Sequence, residues 1–159
     1  MGKFALSLAF FVLVFFIALI VRGKYSAAGE SPGLDQGKLK PCSDKPNCIC
    51  SEYNSMPDHY IEPVAVSAEK IELAQRLAKE VIAQTGGNLQ QETEDYLAAT
   101  YTSSVFRFVD DLEIRIDSVT KLLHIRAASR VGYSDFGVNL KRAKKIRNLL
   151  LPLSADQGS

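Results

Sequence analysis

Between residues 110 and 142 the chain sets side chains of opposite charge close together. Asp110, Asp111 and Glu113 stand almost adjacent, Ser129 and Arg130 follow Arg126, and Asp135 and Arg142 come after them. Three chemistries fit these residue types. Arg126, Ser129, Arg130 and Ser134 offer guanidinium and hydroxyl donors to an anionic ligand. Backbone amides near Gly132 and Gly137, just before a helix N-terminus, add further donors. Asp110, Asp111, Glu113 and Asp135 form an acid cluster of the kind that serves hydrolysis or holds a divalent metal. The same acids with Arg142 and the other arginines also suit a structural charge network that organises the 129–139 loop. The interleaved arginines would compete with a metal for the acids, and no nucleophile–base pair stands out, so neither a metal nor a cofactor is expected. The leading expectation is a non-enzymatic binding or envelope-support module with an anion pocket around Arg126, Ser129 and Arg130. The alternative is a hydrolase or other enzyme that uses the four acids.

The elements that must position these residues are strands. Phe106, Phe108, Leu112, Ile114 and Ile116 share one parity, and Arg107, Asp111, Glu113, Arg115 and Asp117 share the other. That alternation predicts a strand over 105–117 with one apolar face. Leu123, Ile125 and Ala127 alternate with His124 and Arg126 in a second strand over 121–128. Asp110 has the apolar parity, which predicts either a bulge at Asp110-Asp111 or a buried carboxylate held by Arg126 or Arg130. A register that pairs Ile114 with Leu123 would set Glu113 opposite His124 and Asp111 opposite Arg126. Further strand patterns cover 88–92 and 95–104, and 61–66 reads as an edge strand because it contains Pro63.

Two helices complete the pattern. Ser67 as cap, an apolar stripe through Ile71, Ala74, Leu77, Ala78, Val81 and Ile82, and Gly86-Gly87 as stop predict a helix over 68–84. Leu140, Ala143, Ile146 and Leu150 give an apolar face to a helix over 139–151. The expected fold class is α+β: a twisted antiparallel sheet with two amphipathic helices on its apolar face, preceded by an N-terminal transmembrane helix.

The run Phe106-Arg107-Phe108, Asp110-Asp111, Glu113, Arg126, Ser129-Arg130, Gly132-Tyr133-Ser134-Asp135, Gly137, Asn139 and Lys141-Arg142 resembles the signature of the domain of unknown function 1499 family. Cys42-Ser43-Asp44-Lys45-Pro46-Asn47-Cys48 is similar to the motif with which that family begins. The resemblance covers about residues 41–150 and implies no particular activity. Cys42 and Cys48 bracket a Pro46-Asn47 turn, and we expect them to form a short disulfide loop, which persists only in oxidising compartments. That leaves Cys50 of the three cysteines unpaired, as a buried or free thiol.

Phe4 to Val21 is an unbroken apolar run between Lys3 and Arg22. Its length as a helix, about 27 Å, approaches that of a hydrocarbon core. We expect an uncleaved anchor. A cleaved signal ending at Ser26-Ala27-Ala28 is the competing reading, and the long run with Arg22 and Lys24 behind it argues against that. Lysine and arginine counting mildly favours a cytoplasmic domain. The cysteines favour the periplasm or an equivalent oxidising space, and we follow the cysteines. The expected layout is an anchor over 1–22, a flexible tether over 23–40, one domain over 41–152 and a polar tail over 153–159. Lys141, Arg142, Lys144, Lys145 and Arg147 lie on the last helix with no acid among them. Anionic lipid is therefore a second expected partner beside the bilayer itself, and a small anionic ligand or an envelope protein a third. A net charge of +1 and the expected compartment disfavour nucleic acid.

Overall fold

Unbroken apolar sequence makes the first helix long. In the computed structural model, which describes residues 2–154, α1 spans Gly2–Ala27. Its stretch Leu6–Ala27 is long and apolar enough to cross a membrane, with almost none of it buried against the rest of the chain. The helix outlasts the apolar run by more than a turn. Its last turn is not free: Ser26 is buried, and its Oγ accepts the Val109 N–H at 3.0 Å.

The remaining chain is a mixed helix–sheet fold, in agreement with the expected class. A small hairpin joins β1 (Leu34–Asp35) to β2 (Lys38–Leu39). The main sheet contains β3 (Cys48–Cys50), β4 (Val64–Ala65), β5 (Asn88–Glu92), β6 (Tyr96–Thr102), β7 (Val109–Asp117) and β8 (Leu122–Ser129). All its ladders are antiparallel, in the order β3-β8-β7-β6-β5, and β4 pairs with β8 alongside β3. Two further helices, α2 (Ile71–Gln84) and α3 (Val138–Leu150), follow β4 and β8 respectively.

Parity decides the first face. Leu112, Ile114 and Ile116 of β7 and Leu123, Ile125 and Ala127 of β8 join Ala74, Ala78, Val81 and Ile82 of α2 and Ala143, Ile146 and Leu150 of α3 in one core. A 3-10 turn over Ala68–Lys70 precedes α2, so Ser67 caps the turn rather than the helix and makes no side-chain cap bond. At the other end Gly86, at φ +87°, lets Gly87 N–H reach Ile82 O at 2.9 Å and closes α2 as expected.

Four expectations need correction. The strand expected over 105–117 starts only at Val109, because Arg107 takes φ +60° and turns the chain, so Phe106 and Phe108 belong to the β6–β7 connection. The register is two residues from the expected one: Ile114 faces Ile125, Glu113 faces Arg126 and Arg115 faces His124. The ladders run through Asp110 and Asp111 without a bulge. Finally, the sheet's polar-parity face is covered as well. Residues expected as flexible tether contribute β1 and β2 to it. Leu39 is fully buried there with Cys42, Cys48, Cys50, Tyr96, Ala98 and Ala128. The tail beyond Ser154 lies outside the described residues.

Candidate functional site

A covered face that carries charged residues must pair them, since an isolated buried charge is strongly unfavourable. Alternation along β7 points Asp111, Glu113 and Arg115 into that face, and each has a partner. Glu113 is 0 % exposed. It accepts Arg126 Nη1 at 2.6 Å, Tyr96 Oη at 2.8 Å and the Gly33 amide at 3.1 Å. Burial raises its pKa, and Arg126 and the Tyr96 hydroxyl pull it back. Asp111 is gripped by Arg130, whose Nε and Nη2 reach its two oxygens at 2.9 and 2.7 Å, and Ser31 Oγ donates to it at 2.8 Å. Arg130 Nη1 also donates to the Ser26 carbonyl at 3.2 Å and to the Gly29 carbonyl. The charged face therefore holds the segment that follows α1.

Asp110 lies on the other face, as its parity requires, but it is half-buried and neither expected arginine holds it. Arg142 of α3 does, at 3.1 Å, and Ser129 Oγ donates to it at 2.6 Å. The Arg142 guanidinium also lies 4.4 Å from the Tyr101 ring centroid. The expectation that Asp110 is the buried acid and Asp111 the outward one is thus reversed. Parity states which face a residue takes, not how well each face is covered.

Asp135 is not near the other acids in role. Its carboxylate accepts Gly137 N–H at 2.9 Å and Asn139 N–H at 2.7 Å, which satisfies the start of α3. Ser134 is exposed, and its Oγ accepts the Phe136 amide at 3.2 Å. The Cys42–Cys48 disulfide is present and Cys50 is free and buried. Burial pushes the Cys50 thiol up to about 11. The loop inside the bridge places Asn47, whose carbonyl accepts Ser129 N–H at 3.0 Å and Asn139 Nδ2 at 3.1 Å. Asn47 Nδ2 in turn donates to Gly132 O at 3.0 Å. The disulfide loop, the end of β8 and the start of α3 are stitched together at that point.

A groove of about 430 Å³ opens between the end of α1 and this face, with Arg126, Ser129, Arg130, Asp111, Tyr25 and Glu30 among its walls. Three of the four residues expected to bind an anion line it; Ser134 does not. Arg126 Nε is buried and has no hydrogen-bond partner among the described residues.

A second buried cluster escaped the sequence reading. Arg115 Nε donates to Glu52 at 2.6 Å and its guanidinium lies 3.3 Å from Asp117. His124 Nδ1 lies 3.3 Å from Ser51 Oγ and 3.8 Å from Glu52. Burial lowers the His124 pKa, with Arg115 adding to the effect and Glu52 opposing it. The arrangement is not a catalytic triad, because serine and acid approach the same ring nitrogen and the Ser51 hydroxyl already accepts the Ile125 amide at 2.8 Å. Arg115 and His124 each take the polar parity of their own strand. Glu52, just past the cysteines, gave no periodic signal.

A family model described as Protein of unknown function (DUF1499) matches residues 38–150. A search of curated proteins returns no match to the chain.

Proposed function

Since the chain belongs to the DUF1499 family, whose function is unknown, we propose a role from the site itself: a membrane-anchored, non-enzymatic module that binds a small anionic ligand in the groove beside α1. One observation carries this reading. The four acids an enzyme would use are already engaged: Asp110 by Arg142, Asp111 by Arg130, Glu113 by Arg126, and Asp135 by the amides of α3. None is poised as a free base or metal ligand. Arg126, by contrast, lines the groove and retains a buried Nε without a partner among the described residues, and an unpaired guanidinium donor favours an anion.

The anchor is α1, read here as crossing the bilayer once. Docking of Ser26 and Gly29 on Arg130 supports retention of α1 over cleavage after Ala28, because cleavage there would cut through the docked segment. The Cys42–Cys48 bridge supports an oxidising compartment for the domain. Of the basic residues on α3, Arg142 and Arg147 are turned to partners inside the domain, Asp110 and Glu62. Lys141, Lys144 and Lys145 remain for lipid headgroups.

The test is thermal denaturation of the full chain in detergent against inorganic phosphate, sulfate and small carboxylates. We expect at least one to raise the midpoint in a saturable way; occupancy at a hundred times Kd stabilises by about 2.7 kcal/mol. Arg126→Gln should remove that increment, and Arg147→Gln, remote from the groove, should leave it. No increment from any anion, or an increment unchanged in Arg126→Gln, would overturn the anion reading.

A further inference from the structure

The β6–β7 connection, residues 103–108, lies against α1 where the helix is still apolar. A β-carbon on Gly23 would fall on the Phe106 carbonyl oxygen, so the helix and the loop backbone touch there. The Phe106 ring meets the Phe16 ring at 6.0 Å between centroids, and Phe108 follows at 6.2 Å from Phe106. Phe16 sits about 9 Å along the axis inside Arg22, the first charge after the apolar run. Charged residues mark where a spanning helix leaves the hydrocarbon. The tip residue Val105 is 74 % exposed.

Hydrogen bonds close the stem of the loop. Ser103 N–H donates to Phe108 O at 2.8 Å, Phe108 N–H donates to Ser103 Oγ at 2.8 Å, and Val109 N–H is taken by Ser26 Oγ. A second loop, between β8 and α3, begins beside the first, since Asp110 pairs with Ser129 in the sheet. It carries Phe136 at 92 % exposure and φ +56°. Such a conformation is unusual for a bulky residue, and here it directs an aromatic ring away from the fold.

We propose that the β6–β7 loop is a second membrane attachment: Val105 and Phe106 enter the acyl layer beside α1, with Phe136 at the headgroup level. The inference rests on the reading of α1 as a spanning helix, and its occupant is the bilayer. Both loops present apolar side chains at the end of the sheet where α1 leaves it, and a spanning helix in contact with Phe106 brings the loop to lipid depth by continuity.

The chain contains no tryptophan, so single tryptophans report depth directly. The full chain carrying Val105→Trp, Val14→Trp or Val119→Trp is reconstituted in phosphatidylcholine–phosphatidylglycerol vesicles whose acyl chains bear bromine near the carbonyl or near the methyl end. Val14 lies within α1, and Val119 sits in the β7–β8 turn at the opposite end of β7. Quenching of Val105→Trp by shallow bromines with blue-shifted emission, quenching of Val14→Trp by deep ones, and neither for Val119→Trp is the expected result. If Val14→Trp is quenched while Val105→Trp behaves like Val119→Trp, the loop is in water and the inference fails with the spanning helix intact. If Val14→Trp is unquenched, α1 does not span and both readings fall. All three sites are exposed or lipid-facing, so the substitutions do not disturb the core. Retention of the Cys42–Cys48 bridge serves as the check on folding.

Discussion

Replacing Glu113 tests whether the charged face is a coupled network or a set of solvated ions. Glu113 is fully buried and serves three donors, Arg126, Tyr96 and the Gly33 amide. Glu113→Leu strands the Arg126 guanidinium, which already has one nitrogen without a partner among the described residues. Loss of one member of a buried ion pair is destabilising by roughly 3–5 kcal/mol. Arg126→Met leaves an uncompensated carboxylate and should fall in the same range. The double variant should not lose the sum. Burial raises the Glu113 pKa despite Arg126 beside it, so desolvation outweighs the attraction, and an apolar pair of similar volume escapes that penalty. What remains lost is the acceptor for Tyr96 and Gly33, about 1–3 kcal/mol. In urea denaturation of the full chain in detergent, a single loss of about 4 kcal/mol moves the midpoint by about 2 M at a slope of about 2 kcal/mol per M. The reasoning is refuted if each single variant loses under about 1 kcal/mol, or if the double variant equals the sum of the singles.

Four further outcomes follow from the same geometry. Asp111→Ala should destabilise the domain more than Asp110→Ala, because Asp111 is buried against Arg130 whereas Asp110 is half-exposed; denaturation midpoints of the two variants decide it. Asp135→Ala should cost about 0.5–2 kcal/mol through loss of both bonds to the amides at the start of α3, and Asp135→Asn should restore only part of it, because its amide keeps one acceptor oxygen where the carboxylate uses both. With its thiol pushed up to about 11, Cys50 should resist iodoacetamide at pH 8 in the native protein; mass spectrometry should find no label native, one after unfolding and three after unfolding and reduction. Acid should weaken the fold in two steps. The His124 pKa is depressed by burial, and Asp117, whose oxygen accepts the Thr120 amide, is held down to about 2. For both groups the unfolded chain binds protons first, so stability is full above the unfolded value and falls below it. His124 acts as pH drops below 6.5 and Asp117 between 3.8 and about 2. His124→Gln should flatten the upper step in denaturation midpoints followed from pH 7.5 to 5, and persistence of that step would contradict the assignment.

What the sequence displays best is what depends on period alone. The stripe of α2 from Ala74 to Ile82 and the alternation of Leu112, Ile114 and Ile116 follow from side-chain geometry within one element, and the fold class rests on them. The motif residues also come together, with Arg126, Ser129 and Arg130 on one groove. The partners were less legible. Register is fixed by the whole sheet, and a slip of two residues keeps every side chain on its face, so the pattern of β8 could not distinguish Arg126 from His124 as the neighbour of Glu113. Coverage is a property of distant chain. Ser31, Gly33 and Leu39 lie in a stretch of tether-like composition, yet their contacts turn Asp111 and Glu113 from surface acids into buried ones. Arg107 hid the start of β7 because its neighbours continue the alternation while its own backbone leaves the strand.

Gly23, packed without a side chain on Phe106, and Arg130, closed on the carbonyls at the end of α1, leave the stem no slack. In a bilayer, such a domain does not sweep a hemisphere at the end of a leash. With α1 spanning as proposed, it rides at one height, and a ligand reaches the groove along the membrane surface. Orientation becomes a property of the lipid as well as of the protein. A spanning helix meets a thinner or thicker hydrocarbon layer by changing its tilt, and here a tilt of α1 is a tilt of the sheet, swinging the mouth of the groove toward or away from the headgroups. On the proposed reading of α1 as a spanning helix, membrane thickness thereby acts on access to the proposed groove with no contact of its own.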